Sequence, residues 1–251
     1  MRILRALLRP LVLLLALGPL VLAGCAVAPG PAATTEVAAA APMRDTRLGT
    51  QWGEGVASRV STLSLKRQGE RPLAVQELPY SAAPFAGEPL RELVLADGRV
   101  TMRVLRAGGG AWPIHALAGQ PHLQGRKGER YILEYRSRSA RSLEIVATVD
   151  GLDVLSGQPG STRQRGYVLR PGETLRIEGF RKSSAEVAAF RFSAVPDAYA
   201  ANTPAGSVAN VGVIGTAVFT LIDPAAPCGS GPCAFPGDPP GRYAPPPAGR
   251  N

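Results

Sequence analysis

The sequence has few of the residues on which most enzyme and metal sites depend. Its 251 residues include two His and three Cys, and only 6% are aromatic. No long segment repeats apolar residues at helical spacing, so neither a helical bundle nor a coiled coil is expected. Gly and Pro together supply 53 residues, whereas 45% of the chain is hydrophobic and 19% is charged. This composition is sufficient for a folded core and excludes disorder throughout the chain.

The first 24 residues have the layout of a secretory signal. Arg2, Arg5 and Arg9 precede an apolar run from Leu11 to Leu22, and small residues follow. This run is about a dozen residues long, whereas a helix that spans a membrane needs roughly 20. We therefore expect the segment to be cleaved from the mature protein rather than to cross the membrane.

The end of the apolar run, Leu22-Ala23-Gly24-Cys25, resembles the lipobox of bacterial lipoproteins. In that family the Cys is acylated and becomes the first residue after cleavage, so the resemblance implies a lipid anchor on Cys25. Two or three acyl chains hold a protein on a membrane without a second membrane element. Ala26 stands where an Asp often signals retention at the inner membrane, which implies the outer membrane with the domain in the periplasm. An ordinary secretory signal that leaves Cys25 as a free thiol is the alternative.

Composition divides the mature chain into three parts. Residues 25–47 hold Cys25 and an Ala-, Pro- and Thr-rich stretch typical of a flexible tether. Residues 48–222 carry the strand patterns. Residues 223–251 contain nine Pro and five Gly, and we expect an extended, largely disordered tail.

The tail contains Cys228 and Cys233, which form an even pair once Cys25 is acylated. In a compartment outside the reducing cytosol this pair predicts a disulfide that closes a small loop. A zinc site is not expected, because zinc takes four ligands and the two His lie roughly a hundred residues away.

The central part alternates apolar and polar residues in many short segments. Such alternation places the apolar residues on one face of a sheet, and it occurs in residues 60–65, 100–105, 131–135, 143–149, 166–169, 174–177 and 186–194. We expect 131–135 and 143–149 to form a hairpin. Residues 211–219 are apolar on both faces, as in a central strand covered on both sides. The spacing is typical of an all-β sandwich or barrel, and we predict a single antiparallel β-sandwich domain.

Several stretches resemble a family of uncharacterised proteobacterial envelope proteins over roughly residues 48–220. The stretches are Leu48–Glu54 (LGTQWGE), Val149–Gly157 (VDGLDVLSG), Arg165–Gly172 (RGYVLRPG), Ile177–Arg181 (IEGFR) and Asn210–Gly215 (NVGVIG). The chain departs from the family pattern at Asp153, where Asn is expected, and at Phe180, where Trp is more usual. The resemblance supports the fold and the envelope address, and it implies no activity and no functional site.

Five arginines lie opposite the apolar set on their predicted strands: Arg103, Arg130, Arg136, Arg176 and Arg191. One sheet face is therefore expected to be rich in guanidinium groups, which bind phosphates and carboxylates through two hydrogen bonds. The envelope offers such anions in lipid headgroups, lipopolysaccharide and peptidoglycan. The alternative is a solvated face on which Glu134, Glu144 and Glu178 pair with arginines across strands.

Other constellations have simpler explanations. The spacing of Asp150 and Asp153 is compatible with two calcium ligands in a loop, but Asp-Gly is equally a signal for a tight turn, which we predict here. His115 and His122 are the candidates for a hydrolytic base, although each is also explained as a loop residue and no Gly-x-Ser-x-Gly elbow is present.

The net charge also bears on the partner. Without residues 1–24, which carry three Arg and no acidic residue, the chain keeps 25 basic and 19 acidic residues, a net charge of +6. This surplus is mild, and aromatic residues are not interleaved with the basic ones, so a nucleic-acid partner is not expected. No cofactor motif is present, and no cofactor or metal is expected.

The sequence thus predicts a non-catalytic, membrane-anchored envelope lipoprotein that binds or assembles with an envelope protein in the periplasm. One alternative is a periplasmic hydrolase that acts on peptidoglycan or glycan through His115 or His122. Another is recognition of an anionic envelope polymer or lipid by the Arg-rich sheet face.

Overall fold

A computed structural model describes residues 45–223, 233–234 and 243–248 of the chain. The strands, in chain order, are β1 (Gly49–Ala57), β2 (Ser61–Thr62), β3 (Lys66–Arg67), β4 (Ala74–Ser81), β5 (Glu88–Leu90), β6 (Leu93–Leu95), β7 (Val100–Arg106), β8 (Ile114–Leu117), β9 (Gln120–Gln124), β10 (Tyr131–Ser137), β11 (Leu143–Val149), β12 (Leu152–Asp153), β13 (Tyr167–Leu169), β14 (Thr174–Ile177), β15 (Gly179–Arg181), β16 (Glu186–Ser193), β17 (Val213–Ile222) and β18 (Cys233–Ala234). Single 3-10 turns occupy Val195–Asp197, Tyr199–Ala201 and Val208–Asn210.

We call the first layer sheet I, and it has two parts. One part has the strand order β14-β10-β7-β6 and the other has the order β1-β16-β15. The strands β14 and β15 are separated only by Glu178, so one stretch of chain pairs first with β10 and then with β16. A bridge between Arg130 and Arg191 joins the two parts a second time. Sheet I therefore behaves as one curved layer.

The second layer, sheet II, follows the order β2-β18-β13-β11-β17-β4-β9-β8-β5, with β12 paired to β11 and β3 paired to β17. Its pairs are antiparallel except β4 with β9 and β2 with β18. The hairpin of β8 and β9 turns at Ala118 and Gly119, which both have positive φ, as a two-residue turn between twisted strands requires.

The main core lies between the two layers. Leu133 and Phe190 from sheet I and Ile145 and Val218 from sheet II are all fully buried in one cluster. The predicted central strand is confirmed by β17, which lies between β11 and β4. Its inward side chains join the main core, whereas Phe219 packs with Val146 on the opposite face, so β17 is covered on both sides.

The all-β prediction is confirmed, since the antiparallel sheets pack together as a sandwich. The predicted hairpin between residues 131–135 and 143–149 is wrong, because β10 belongs to sheet I and β11 to sheet II. The connecting chain crosses from one layer to the other, and each strand finds its partners elsewhere. No helix within the described residues is long and apolar enough to cross a bilayer.

The tail prediction needs a correction for residues 243–248, which we expected to be disordered. Ala244 is 4% exposed and belongs to the main core cluster. A Pro-rich composition disfavours helix and sheet pairing, but it does not prevent an extended segment from packing into a groove.

Candidate functional site

The predicted Arg-rich face exists on sheet I, where β10 lies between β7 and β14. Side chains alternate along a strand, so Ile132, Glu134 and Arg136 of β10 share the outward face with Arg130 just before it. The register places Arg103 of β7 and Arg176 of β14 on either side of Glu134. We call this surface, made of the five arginines with Glu54 and Glu134, the arginine face.

Glu134 holds two of the arginines. Arg103 donates from Nε and Nη2 to Oε1 of Glu134, with the Nε distance at 3.1 Å, and Arg176 Nε donates to Oε2 at 2.9 Å. The Glu134 side chain is 6% exposed, whereas the side chains of Arg103 and Arg176 are 47% and 61% exposed. Burial acts to raise the pKa of Glu134, but the hydrogen bonds from the two guanidiniums hold it below its ordinary value.

Glu54 of β1 holds a second pair. Arg191 Nη2 lies 2.7 Å from Oε2 of Glu54, and Arg130 Nε lies 3.2 Å from Oε1. The hydrogen bond from Arg191 lowers the pKa of Glu54. The two clusters differ in one respect: both arginines on Glu134 are hydrogen-bonded to it, whereas on Glu54 only Arg191 is, and Arg130 Nε is within ion-pair distance without a hydrogen bond.

The arginine face keeps a surplus of positive charge. Four of the five arginines pair with the two glutamates, and the seven side chains together carry a net charge of +3. Arg103, Arg136 and Arg176 are exposed, and the bonds to Glu134 use Nε and Nη2 of Arg103 and Nε of Arg176. Ile132 lies opposite Leu105 between the clusters, and both are partly exposed. A rigid surface of arginines with apolar contacts between them is typical of binding interfaces.

Of the glutamates expected to pair across strands, Glu134 pairs with members of the arginine face, and Glu144 pairs with an arginine elsewhere. Glu144 is fully buried on sheet II and binds Arg67, whose guanidinium lies 3.6 Å from the centre of the Phe219 ring. The ion pair of Glu144 and Arg67 therefore lies on the outer side of sheet II and is not part of the arginine face.

A buried polar network around Asp150 is the feature that the sequence did not indicate. Asp150 and Gly151 both have positive φ and form the tight turn between β11 and β12, so the predicted turn is confirmed. The carboxylate points inward and accepts hydrogen bonds from Thr50 N at 2.7 Å, Tyr80 Oη at 2.6 Å and Gly212 N at 2.8 Å. The hydroxyl of Thr50 also contacts those of Tyr80 and Tyr131.

Burial dominates the electrostatics of this network. Burial raises the pKa of Asp150 to about 6, although its hydrogen bonds work in the opposite direction. Burial likewise raises the pKa of Tyr80 well above its ordinary value. The network joins five parts of the chain that are far apart in sequence, at Thr50, Tyr80, Tyr131, Asp150 and Gly212. Its donors satisfy the carboxylate from inside the domain, so its role is to hold strands together.

The two histidines are brought together on neighbouring strands. His115 of β8 lies directly opposite His122 of β9. The Nδ1 atom of His115 is 3.2 Å from the carbonyl of Gly87, and that of His122 is 3.2 Å from the carbonyl of Gln120. Within the described residues no hydroxyl or carboxylate is hydrogen-bonded to either ring, and no group of three or more metal-ligating side chains is formed.

The remaining site predictions fall outside the described residues. Cys25 and Cys228 are not described, and only the backbone of Cys233 is, in β18. Lipidation and the disulfide therefore stay predictions. Comparison of the chain with models of protein families, with curated proteins and with solved structures found no match. The resemblance to envelope proteins also stays a prediction.

Proposed function

We propose that the protein is a non-catalytic envelope lipoprotein, anchored at the outer membrane through Cys25, that binds its partner through the arginine face. The observation that carries this proposal is the pair of Glu-centred clusters, which hold guanidiniums in place on one outward sheet face. Guanidiniums that are already oriented lose little conformational freedom when they bind an anion.

The chemistry of the surface favours a partner with phosphate or carboxylate groups. Arg136 adds a further exposed guanidinium two residues from Glu134 on β10. Each guanidinium has more donors than one carboxylate accepts, so N–H groups remain for a ligand. Lipid headgroups, lipopolysaccharide phosphates and peptidoglycan carboxylates share this chemistry, and a protein partner with an acidic surface does as well.

The test is a pair of variants with equal charge. In Arg136→Gln/Arg176→Gln, two exposed guanidiniums are removed while Arg103 remains on Glu134. In the control, Arg71→Gln/Arg163→Gln, the net charge falls by the same amount at exposed positions outside the arginine face. Binding is measured for chains that also carry Cys25→Ser, with vesicles containing phosphatidylglycerol, with lipopolysaccharide and with peptidoglycan sacculi.

We expect the control to bind one of these ligands as the parent does, and the face variant to bind it several-fold more weakly. Binding should also weaken as salt rises, since exposed charges are screened over about 8 Å at physiological ionic strength. If both variants lose the same affinity, net charge explains the binding and the position of the arginines does not. If the face variant binds every anionic ligand with the affinity of the parent, the arginine face has no role in binding.

A further inference from the structure

The arginines of the arginine face fall into two groups along the stretch of chain that forms β10. We call Arg103, Arg136 and Arg176, which lie around Glu134, the first group, and Arg130 and Arg191, which lie beside Glu54, the second group. Each group combines one arginine from this stretch with arginines from neighbouring strands. The face therefore offers two separate positions for an anion.

The spacing of the two groups is set by the strand. Arg130 and Glu134 are four residues apart, and both side chains belong to the outward face. At a rise of about 3.3 Å per residue, four residues of extended chain span about 13 Å. The bridge between Arg130 and Arg191 keeps the second group in register with this stretch. A ligand that contacts both groups at once therefore has two anionic groups about 13 Å apart.

The surface between the two groups is apolar. Ile132 lies midway between Arg130 and Glu134 on the same face. It is directly opposite Leu105 of β7, and both side chains are partly exposed. Neither side chain has a hydrogen-bonding atom. The middle of a ligand that spans the two groups therefore packs against aliphatic carbon, as the carbon-rich part of a lipid does.

The first group suits a phosphate better than a carboxylate. It has three guanidiniums, and a phosphate has three strong acceptor oxygens where a carboxylate has two. Glu134 already accepts hydrogen bonds from Arg103 and Arg176. In the described part of the chain, neither a hydrogen bond nor an ion pair holds the exposed Arg136. Its donors complete the set that a phosphate would use.

We propose that the arginine face binds a lipid that has two phosphate groups about 13 Å apart, with one phosphate on each group of arginines. This inference rests on the proposed function and adds to it the class and the spacing of the ligand. The net charge of +3 on the face is complementary to such a ligand. Once one phosphate is bound, the second binds intramolecularly, so the affinity exceeds that of either phosphate alone.

A series of bisphosphates of different length tests the spacing. Octane-1,8-diyl bisphosphate reaches the required distance when extended, butane-1,4-diyl bisphosphate is too short, and octyl phosphate has a single phosphate. In calorimetric titrations of the Cys25→Ser chain, we expect the eight-carbon bisphosphate to bind about tenfold more tightly than octyl phosphate. The four-carbon bisphosphate should bind within about threefold of octyl phosphate, because it reaches only one group of arginines.

Variants of each group test whether both are needed. Arg136→Gln/Arg176→Gln removes two guanidiniums of the first group, and Arg130→Gln removes one of the two in the second group. Either variant should bind the eight-carbon bisphosphate and octyl phosphate within about threefold of each other. The matched control, Arg71→Gln/Arg163→Gln, removes charge at exposed positions outside the face and should keep the tenfold preference of the parent.

Vesicles test the lipid itself. One set contains lipid A with both of its phosphates, and the other contains monophosphoryl lipid A at twice the content, so that the surface charge of the two sets is equal. The Cys25→Ser chain should bind the first set several-fold more tightly in a sedimentation assay. Arg130→Gln should bind both sets alike, because it contacts one phosphate at a time.

Three results would overturn the inference. One is equal affinity of the parent for the eight-carbon bisphosphate and octyl phosphate, a comparison that needs no variant to fold. Another is equal binding to both sets of vesicles. The third is binding of decanedioate as tight as that of the eight-carbon bisphosphate, which would assign the face to carboxylate partners such as an acidic protein.

The proposed function is judged separately from this spacing. If the parent has no preference for length but binds octyl phosphate more tightly than Arg136→Gln/Arg176→Gln does, the two groups act independently. The inference then fails while the proposed function stands. If the parent and this variant bind every phosphate compound alike, both fail.

Discussion

At the scale of single residues, Asp150 shows how far sequence reasoning reaches. The Asp-Gly pair predicts a tight turn because both residues tolerate positive φ, and the turn is present. The sequence does not indicate where the carboxylate points, because its donors Thr50, Tyr80 and Gly212 come from distant parts of the chain. Local turn chemistry is readable in a sequence, whereas the partners of a buried side chain depend on the complete fold.

Replacing Asp150 should destabilise the domain. In Asp150→Asn, the side chain keeps the backbone conformation but has one acceptor oxygen where the carboxylate has two. Buried donors then lose their partners, and we expect the free energy of unfolding to fall by roughly 2–4 kcal/mol. The control is Asp97→Asn, at an exposed turn residue with similar positive φ, which should change stability by less than about 0.5 kcal/mol. Urea unfolding measures both, and equal stability of the two variants would contradict the role of the network.

The same carboxyl should make stability depend on pH. Folding raises the pKa of Asp150 from an ordinary 3.8 to about 6. The folded chain therefore keeps a proton that the unfolded chain releases between these values. The stabilisation is complete below pH 4 and is lost as the pH rises through 6, by up to about 3 kcal/mol. Relative to Asp150→Asn, the parent should lose stability from pH 4 to pH 7 in urea unfolding, and parallel curves for the two chains would argue against a raised pKa.

At the scale of elements, the alternation of apolar residues predicted where strands lie better than it predicted which strands pair. The predicted segment 143–149 coincides with β11, and 174–177 coincides with β14. Period-two alternation reports that one face of a strand is buried, and this holds whichever layer the strand joins. It carries no information about pairing, which is why β10 and β11 were wrongly placed in one hairpin. The short segment β15 was missed because three residues are too few to show a period.

Gly179 of β15 should be essential to the strand that connects the two parts of sheet I. A Cβ there would lie 1.9 Å from the carbonyl oxygen of Ala188, which is backbone and cannot move aside. We expect Gly179→Ala to reduce the free energy of unfolding by about 3 kcal/mol or more.

The control for this prediction is Gly69→Ala. Gly69 is exposed and a built Cβ meets no atom within 4 Å. The change should be neutral or stabilise by up to about 1 kcal/mol, because alanine restricts the unfolded chain. Thermal unfolding followed by circular dichroism compares the two. Similar melting temperatures would show that the sheet junction adapts to a side chain.

At the scale of the whole molecule, composition does not show how residues 243–248 dock on the domain. The Pro-rich tail does not form helix within its described residues, in agreement with its composition. Composition does not reveal that Tyr199 and Arg181 are hydrogen-bonded to Pro245 and Ala244, since these residues lie far away in sequence. The arginine face was partly predictable, because alternation assigns its arginines to outward positions. Their pairing on Glu54 was not, because it needs the register of β1 on β16.

The lipid anchor is tested by fractionation of cells. The parent chain should sediment with membranes, because two or more acyl chains bind a bilayer stably. In Cys25→Ser the residue proposed to be acylated is absent, and we expect the chain in the soluble fraction. Cys228→Ser removes a different cysteine and should sediment as the parent does. If Cys25→Ser still sediments with membranes after a salt wash, the membrane attachment lies elsewhere in the protein.

If the protein is anchored through Cys25 and holds a partner, as proposed, a force on the anchor reaches the domain from the N-terminal side of β1. This strand pairs antiparallel with β16 from Gly49 opposite Ser193 to Ala57 opposite Glu186. A pull on the N-terminal side of β1 acts along the strand axis, so its hydrogen bonds resist together rather than opening one after another. At the pulled end, the backbone of Thr50 is also bound to the buried Asp150 carboxylate. A charge-assisted bond inside the core therefore holds β1 in addition to its pairing with β16, which suits the domain to remain folded while it bears a load.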